Sequence, residues 1–135
     1  MNAEPMNIGT VAEKCGVPPK SIRYYESIGL IHPAERRPNG YRSYSDLDMR
    51  TLAFIKRARS LGFSVDAVRD LLDLWRDRGR KSAAVKAMAT HHIEALDRKI
   101  EELQSMRRAL AKLVRRCRGD ARPECPILED LEEER

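Results

Sequence analysis

The chain has 135 residues, 41% hydrophobic but only 5% aromatic, with 26 Lys and Arg against 21 Asp and Glu and a formal net charge of +5. That length suits one small domain with an appended element, the core must be mostly aliphatic, as in a helical protein, and a basic balance favours a polyanion such as nucleic acid. No apolar run approaches the roughly 18–20 residues that span a bilayer, and no apolar signal stretch opens the chain, so a cytoplasmic protein without a membrane partner is expected. Its three cysteines, an odd number, do not read as a secreted disulfide framework.

Residues 1–5 read as an N-terminal extension, because Met6-Asn7-Ile8 looks like a natural start. Two short apolar-periodic segments follow, Ile8–Cys15 and Pro19–Ser27, joined by Gly16-Val17-Pro18. Ile8, Val11 and Ala12 share one face of the first segment, and Ile22 and Tyr25 one face of the second, with Leu30 beyond. Two short helices around a glycine-bearing turn form the helix-turn-helix pattern. A recognition helix must present donors to phosphates and base edges. Lys20, Arg23, Tyr24 and Tyr25 are the candidates, with the alternative that one tyrosine turns into the core.

Residues 34–44 hold Asn39-Gly40, the strongest two-residue hairpin signal, because a type I′ turn needs positive φ at both positions. Arg36, Arg37, Tyr41 and Arg42 flank it. The reading is a basic β-ribbon, or wing, in which the three arginines clamp phosphates and Tyr41 packs or touches the DNA backbone. Ser45 then caps a helix, with Asp48 at the reciprocal acidic position, and Leu52, Ile55, Ala58 and Leu61 form its apolar stripe. After Gly62, Ser64 caps a helix bearing Val65, Val68, Leu71, Leu72 and Trp75, the last a core residue. Asp77-Arg78-Gly79-Arg80 is a break.

Ser82 opens the longest pattern, which runs to about Arg116. Ala89, Ile93, Leu96, Ile100, Leu103, Leu110, Val114 and Cys117 step by threes and fours, and only Arg107 interrupts the seam. Sustained spacing of this kind with charged flanks argues for a coiled coil and a homodimer. The alternative is that the stripe packs on the chain's own head. Cys117 closes the pattern, seven residues pass, and Cys125 opens a short apolar segment, so the run reads as a loop that holds a soft ligand between two thiols. The division is thus an extension at 1–5, a DNA-binding domain at 6–78, a dimerisation helix at 79–116, and a metal-binding loop and C-terminal helix at 117–135. The fold class is mainly α.

Three stretches, Ile8-Gly-Thr-Val-Ala-Glu13, Ile22-Arg-Tyr-Tyr-Glu-Ser-Ile-Gly-Leu-Ile31 and Asn39-Gly-Tyr-Arg-Ser-Tyr44, resemble the N-terminal domain of the MerR family of transcription regulators, and the similarity runs from Met6 onward. The resemblance implies a winged helix-turn-helix head, a second helix pair and an antiparallel coiled-coil dimer. It implies double-stranded promoter DNA as the target and a spacer between the promoter elements that is too long. The ligand-bound dimer would bend and untwist that spacer so that RNA polymerase holoenzyme reaches both elements, which is activation through DNA deformation.

Within the family, iron–sulfur members need four cysteines, and only Cys117 and Cys125 lie in the loop. Two thiolates alone are a poor zinc site, which wants four ligands or three plus water. Cu(I) is content with two thiolates in a linear arrangement, and Ag(I) and Au(I) should behave alike. Pro126 suits the first position of a helix, which puts Cys125 at a helix N-terminus where a thiolate is favoured. Cys117, Gly119, Asp120, Cys125, Pro126 and Ile127 resemble the copper-responsive, CueR/HmrR-type branch. Ser82 stands where divalent-ion sensors of the family carry cysteine. The resemblance implies that it approaches the partner's loop without ligating, and a helix N-cap is a compatible local role.

Cys15 reads as a buried inert thiol, and His32, His91 and His92 as structural or solvated. A disulfide switch between Cys117 and Cys125 is a second reading. An enzyme or a metallochaperone is a third, without a catalytic constellation to support it. The expected function is a Cu(I)-responsive activator of copper efflux or detoxification genes.

Overall fold

The computed structural model describes residues 6–32, 35–36 and 42–133. In chain order its elements are α1 (Ile8–Cys15), α2 (Pro19–Ser27), β1 (Glu35–Arg36), β2 (Arg42–Ser43), α3 (Asp46–Ser60), α4 (Val65–Arg76), α5 (Ser82–Arg116) and α6 (Pro126–Glu132). The chain divides into two compact units, one running to Val85 and the other from Lys86 onward.

The first unit is built from capped helices. Asn7 accepts from the Thr10 amide at the start of α1. Ser45 and Asp48 exchange bonds in a capping box at the start of α3, and Ser64 accepts from Ala67 at the start of α4. Each device satisfies an amide that the first helical turn leaves without a partner. Pro19 stands at the first turn of α2, where its missing N–H costs nothing. Gly16 ends α1 with φ of +67°, a left-handed conformation that a side chain resists.

The apolar faces of these helices meet in one core. Val11, Ile22, Leu52, Ile55 and Val68 are fully buried, with Leu30, Ile31 and Leu72 almost so. Ile8, Ala12, Tyr25, Val65, Leu71 and Trp75 pack around them. Trp75 stacks on Phe54 with ring centroids 4.6 Å apart, so its expected core role holds. Leu61 is the exception in the α3 stripe: as that helix's C-cap it stays 47% exposed.

β1 and β2 are antiparallel, pairing Glu35 with Ser43 and Arg36 with Arg42. That register centres the ribbon on residue 39, half a residue from the midpoint of Asn39-Gly40. The turn expected on that dipeptide lies outside the described residues, as do Arg37 and Tyr41. Past the ribbon, Met6 and Tyr44 exchange backbone hydrogen bonds of 2.9 and 2.7 Å, which ties the chain entering α1 to the strand leaving the wing.

In the second unit α5 continues as a long helix in which only Leu113 is buried. Ile93, Leu96, Ile100, Leu103, Leu110 and Val114 are all exposed. No helix among the described residues is long and apolar enough to cross a membrane.

Candidate DNA interface and candidate metal centre

The recognition helix separates into two faces. Ile22 is fully buried and Tyr25 half-buried against the core, while Lys20 and Arg23 are exposed and Tyr24 is 51% exposed. The alternative of one tyrosine turning inward is thus realised at Tyr25, whose phenol remains close to the Tyr24 ring, with centroids 5.9 Å apart. Lys20, Arg23 and Tyr24 are the outward donors. Arg36 and Arg42 face each other across the ribbon as a backbone pair. Arg37 and Tyr41 lie outside the described residues.

Two features of this head escaped the sequence reading. Glu26, on α2, is only 8% exposed, and the buried Tyr44 hydroxyl donates to its carboxylate. The strand leaving the wing and the recognition helix are therefore joined inside the core by a side-chain hydrogen bond. The second feature is a pair of α4 arginines. Arg69 and Arg76 donate to the backbone carbonyls of Ile28 and Leu30, just past α2. Nothing in the local pattern signals such partners, which are dozens of positions apart in the chain.

Cys15 is half-buried, with its thiol 3.5 Å from the Met49 carbonyl. Burial pushes its pKa up, against a smaller pull from the Lys56 ammonium. A neutral, poorly nucleophilic thiol results, as expected of an inert position.

Cys117 and Cys125 belong to the second unit. The Cys117 amide donates to the Leu113 and Val114 carbonyls, both at 3.2 Å, so this residue closes α5. Cys125 is the N-cap of α6, with Pro126 next, as the sequence suggested. The Glu129 amide donates to the Cys125 carbonyl at 3.0 Å, the first turn of that helix. Both thiols are half-buried and unoxidised. No amide makes a formed cap bond to the neutral Cys125 thiol, yet the helix-start N–H groups favour its charged form. The Leu128 amide is the main influence holding its pKa below the ordinary thiol value, with smaller help from the Ile127 amide and the Cys117 thiol, and Glu129 opposing. Cys117 at the end of α5 and Cys125 at the start of α6 thus stand at the two ends of one short loop.

The loop is braced locally. Asp120 accepts from the Arg122 amide at 3.0 Å and from the Arg122 guanidinium at 2.8 and 2.9 Å. Those contacts, the guanidinium first, hold the Asp120 carboxyl below the usual carboxylate range. Arg116, Arg118 and Arg122 line a cleft beside the loop together with Asp120, Glu124 and Pro126. The sequence reading did not single out these arginines, whose gathering depends on how the loop folds. Among the described residues no three His, Cys, Asp or Glu side chains gather as metal ligands within one chain. Two thiolates and no carboxylate or imidazole form a soft donor pair, which fits a thiophilic ion better than a hard one. Ser82 is exposed as the first residue of α5 rather than the cap before it, a shift of one position within the ordinary uncertainty of helix ends.

Residues 6–75 match the family model described as MerR HTH family regulatory protein, and residues 49–113 match that described as MerR, DNA binding. The chain is 55% identical over 126 residues to the HTH-type transcriptional regulator HmrR of Sinorhizobium medicae, covering 93% of this chain and 86% of that protein. It is 41% identical to the HTH-type transcriptional regulator CueR of Escherichia coli, covering 93% of each. Among solved structures, the regulator PbrR691 of Ralstonia metallidurans CH34, in complex with lead(II), superposes with a TM-score of 0.79 at 32% identity, covering 93% of this chain and 98% of that one.

Proposed function

The chain belongs to the MerR family of DNA-binding transcription regulators, and we propose that it is a heavy-metal-responsive member whose signal is Cu(I), with Ag(I) or Au(I) as substitutes. It is a regulator rather than an enzyme. The observation that supports the metal reading is the placement of two free, half-buried cysteines at the two ends of one loop, Cys117 closing α5 and Cys125 capping α6, where the opening amides favour its thiolate. Two thiolates around a monovalent ion leave one net negative charge. The α6 amides and the arginines of the neighbouring cleft offset it without a further ligand. The Asp120–Arg122 brace limits the loop conformations the metal must select from. Ser82 is assigned a place near the partner's loop as a non-ligand.

The functional unit is a homodimer. The apolar stripe from Ile93 to Val114 is exposed in the single chain, and its three-and-four spacing suits an antiparallel coiled coil with a second copy. We assign the parts as head 6–78, dimerisation helix 79–116, and metal loop and last helix 117–135. In the head, Lys20, Arg23 and Tyr24 meet the groove, Arg36, Arg37 and Arg42 grip phosphates, and Tyr25 and Tyr41 support them. The metal-bound dimer untwists an overlong promoter spacer so that RNA polymerase holoenzyme engages both elements of a copper efflux or detoxification gene. The deformation energy comes from the phosphate contacts.

The deciding experiment is an anaerobic titration of the reduced protein with Cu(I) and Zn(II) against calibrated chelators, repeated on Cys117→Ser and Cys125→Ser. One tight Cu(I) per subunit, weak Zn(II), and loss of Cu(I) binding in both variants with DNA binding kept is the expected result. Tight Zn(II) without a Cu(I) preference would move the protein to the divalent class. The same two free cysteines at the ends of one short loop leave a disulfide switch as the second reading, and transcriptional activation by diamide without metal would establish it instead.

A further inference from the structure

The carboxyl end of a helix is the negative end of its dipole and welcomes a cation. Helix α2 has no basic residue in its last turn. The cations come from α4. Arg69 Nη2 donates to the Ile28 carbonyl at 2.6 Å, and Arg76 Nη2 donates to the Leu30 carbonyl at 3.3 Å. Ile28 is the C-cap of α2, and Leu30 is sunk in the core at 1% exposure. The two arginines are seven positions apart, about two helical turns, and so share one face of α4. Between their acceptors Gly29 has φ of +77°, and a Cβ added there would meet Arg69 Nη1 at 3.7 Å, an ordinary contact that puts the guanidinium beside the turn.

We propose that Arg69 and Arg76 are positioning residues for DNA reading: from α4 they grip the carboxyl end of α2 and set the pitch at which Lys20, Arg23 and Tyr24 meet the groove. The inference rests on the DNA-reading role given to α2 above. A helix of nine residues does not hold its own orientation. Two charge-assisted bonds to its end supply a lever arm that apolar packing, which tolerates sliding, does not. Base-edge contacts need that orientation, whereas attraction to phosphates does not. Loosening the grip therefore costs sequence discrimination before it costs general affinity. The carboxyl end of α4 is itself closed by Arg80, whose Nη1 donates to the Trp75 and Asp77 carbonyls at 3.0 and 3.2 Å, immediately before α5 begins. The recognition helix is thereby tied to the element that leads into the long helix.

The test uses the full-length protein and a duplex selected by the wild type from a random pool. Affinity for that duplex and for a scrambled one is measured across salt concentrations, together with the melting temperature. Arg69→Met with Arg76→Met, which keeps the apolar stems, is expected to lower the selected-over-scrambled ratio about tenfold while scrambled binding changes little. Arg69→Lys keeps the charge but loses the fork, and is expected to lose only about threefold. If the double variant does not fold, the lysine variant decides: an unchanged ratio there overturns the proposal. An unchanged ratio in a folded double variant overturns it too, as does an equal loss on both duplexes, since the arginines would then act as general charges. A wild-type protein that selects no sequence would instead overturn the DNA-reading role itself, and the clamp with it.

Discussion

The head and the long helix treat apolar surface in opposite ways. In the head, Leu52 and Ile55 of α3 are fully buried beneath their own chain. On α5, Leu103 and Ile100 occupy equally regular positions and are about half exposed. The same residue type at the same helical period thus serves a finished core in one unit and an unfinished one in the other. An isolated helix gains little from backbone propensity, so the open stripe on α5 is the surface that the proposed second copy would cover, while the first unit has its core already.

That contrast can be attacked directly. The largest effect is expected from Leu103→Glu. Each dimer would lose two buried leucines, which raises the dissociation constant by roughly a hundredfold or more, because burying a leucine is worth about 1.5–3 kcal/mol. Sedimentation velocity would report the loss of dimer, and near-native melting of the head would show that the damage stays on the seam. A variant that remains dimeric would remove α5 as the interface. Leu52→Ala is the mirror experiment: the head should lose about 2–5 kcal/mol in urea unfolding, with the cavity inside a single chain. A loss below that range would mean the head core is looser than its burial suggests.

Gly16→Ala is smaller. It forces a side chain into a left-handed conformation, and its Cβ would meet the flexible Lys56 ammonium, which can move aside. The backbone cost of about 1–2 kcal/mol is the expected loss, read from the unfolding midpoint. The smallest effect is a difference between thiols. Cys125 has a lowered pKa and Cys15 a raised one. As pH rises through the thiol range, the Cys125 thiolate forms first, so iodoacetamide should label it at a lower pH than Cys15 in the metal-free reduced protein. Peptide mapping across a pH series measures this, and matching profiles would contradict the role given to the amides that open α6.

Much was legible in the chain because its signals are local. Helix caps at Ser45 and Ser64, the turn at Gly16, the proline after Cys125 and the three-and-four stripe of α5 each depend on residues within a few positions of one another. The ribbon was readable in kind, while the pairing of Glu35 with Ser43 and of Arg36 with Arg42 came only with the structure. Tyr24 and Tyr25 are adjacent and chemically identical, so only packing against the core could tell the outward ring from the inward one.

The amino-acid order alone therefore established the helical class, the winged head, the two-thiol loop and the stripe that seeks a partner, because period, capping and spacing are short-range properties. Folding in three dimensions was required for the Tyr44–Glu26 bond inside the head and the grip of Arg69 and Arg76 on the end of α2. A side-chain donor finds a carbonyl or carboxylate far along the chain only after the helices between them have packed, and no periodicity in the sequence records which one it will be.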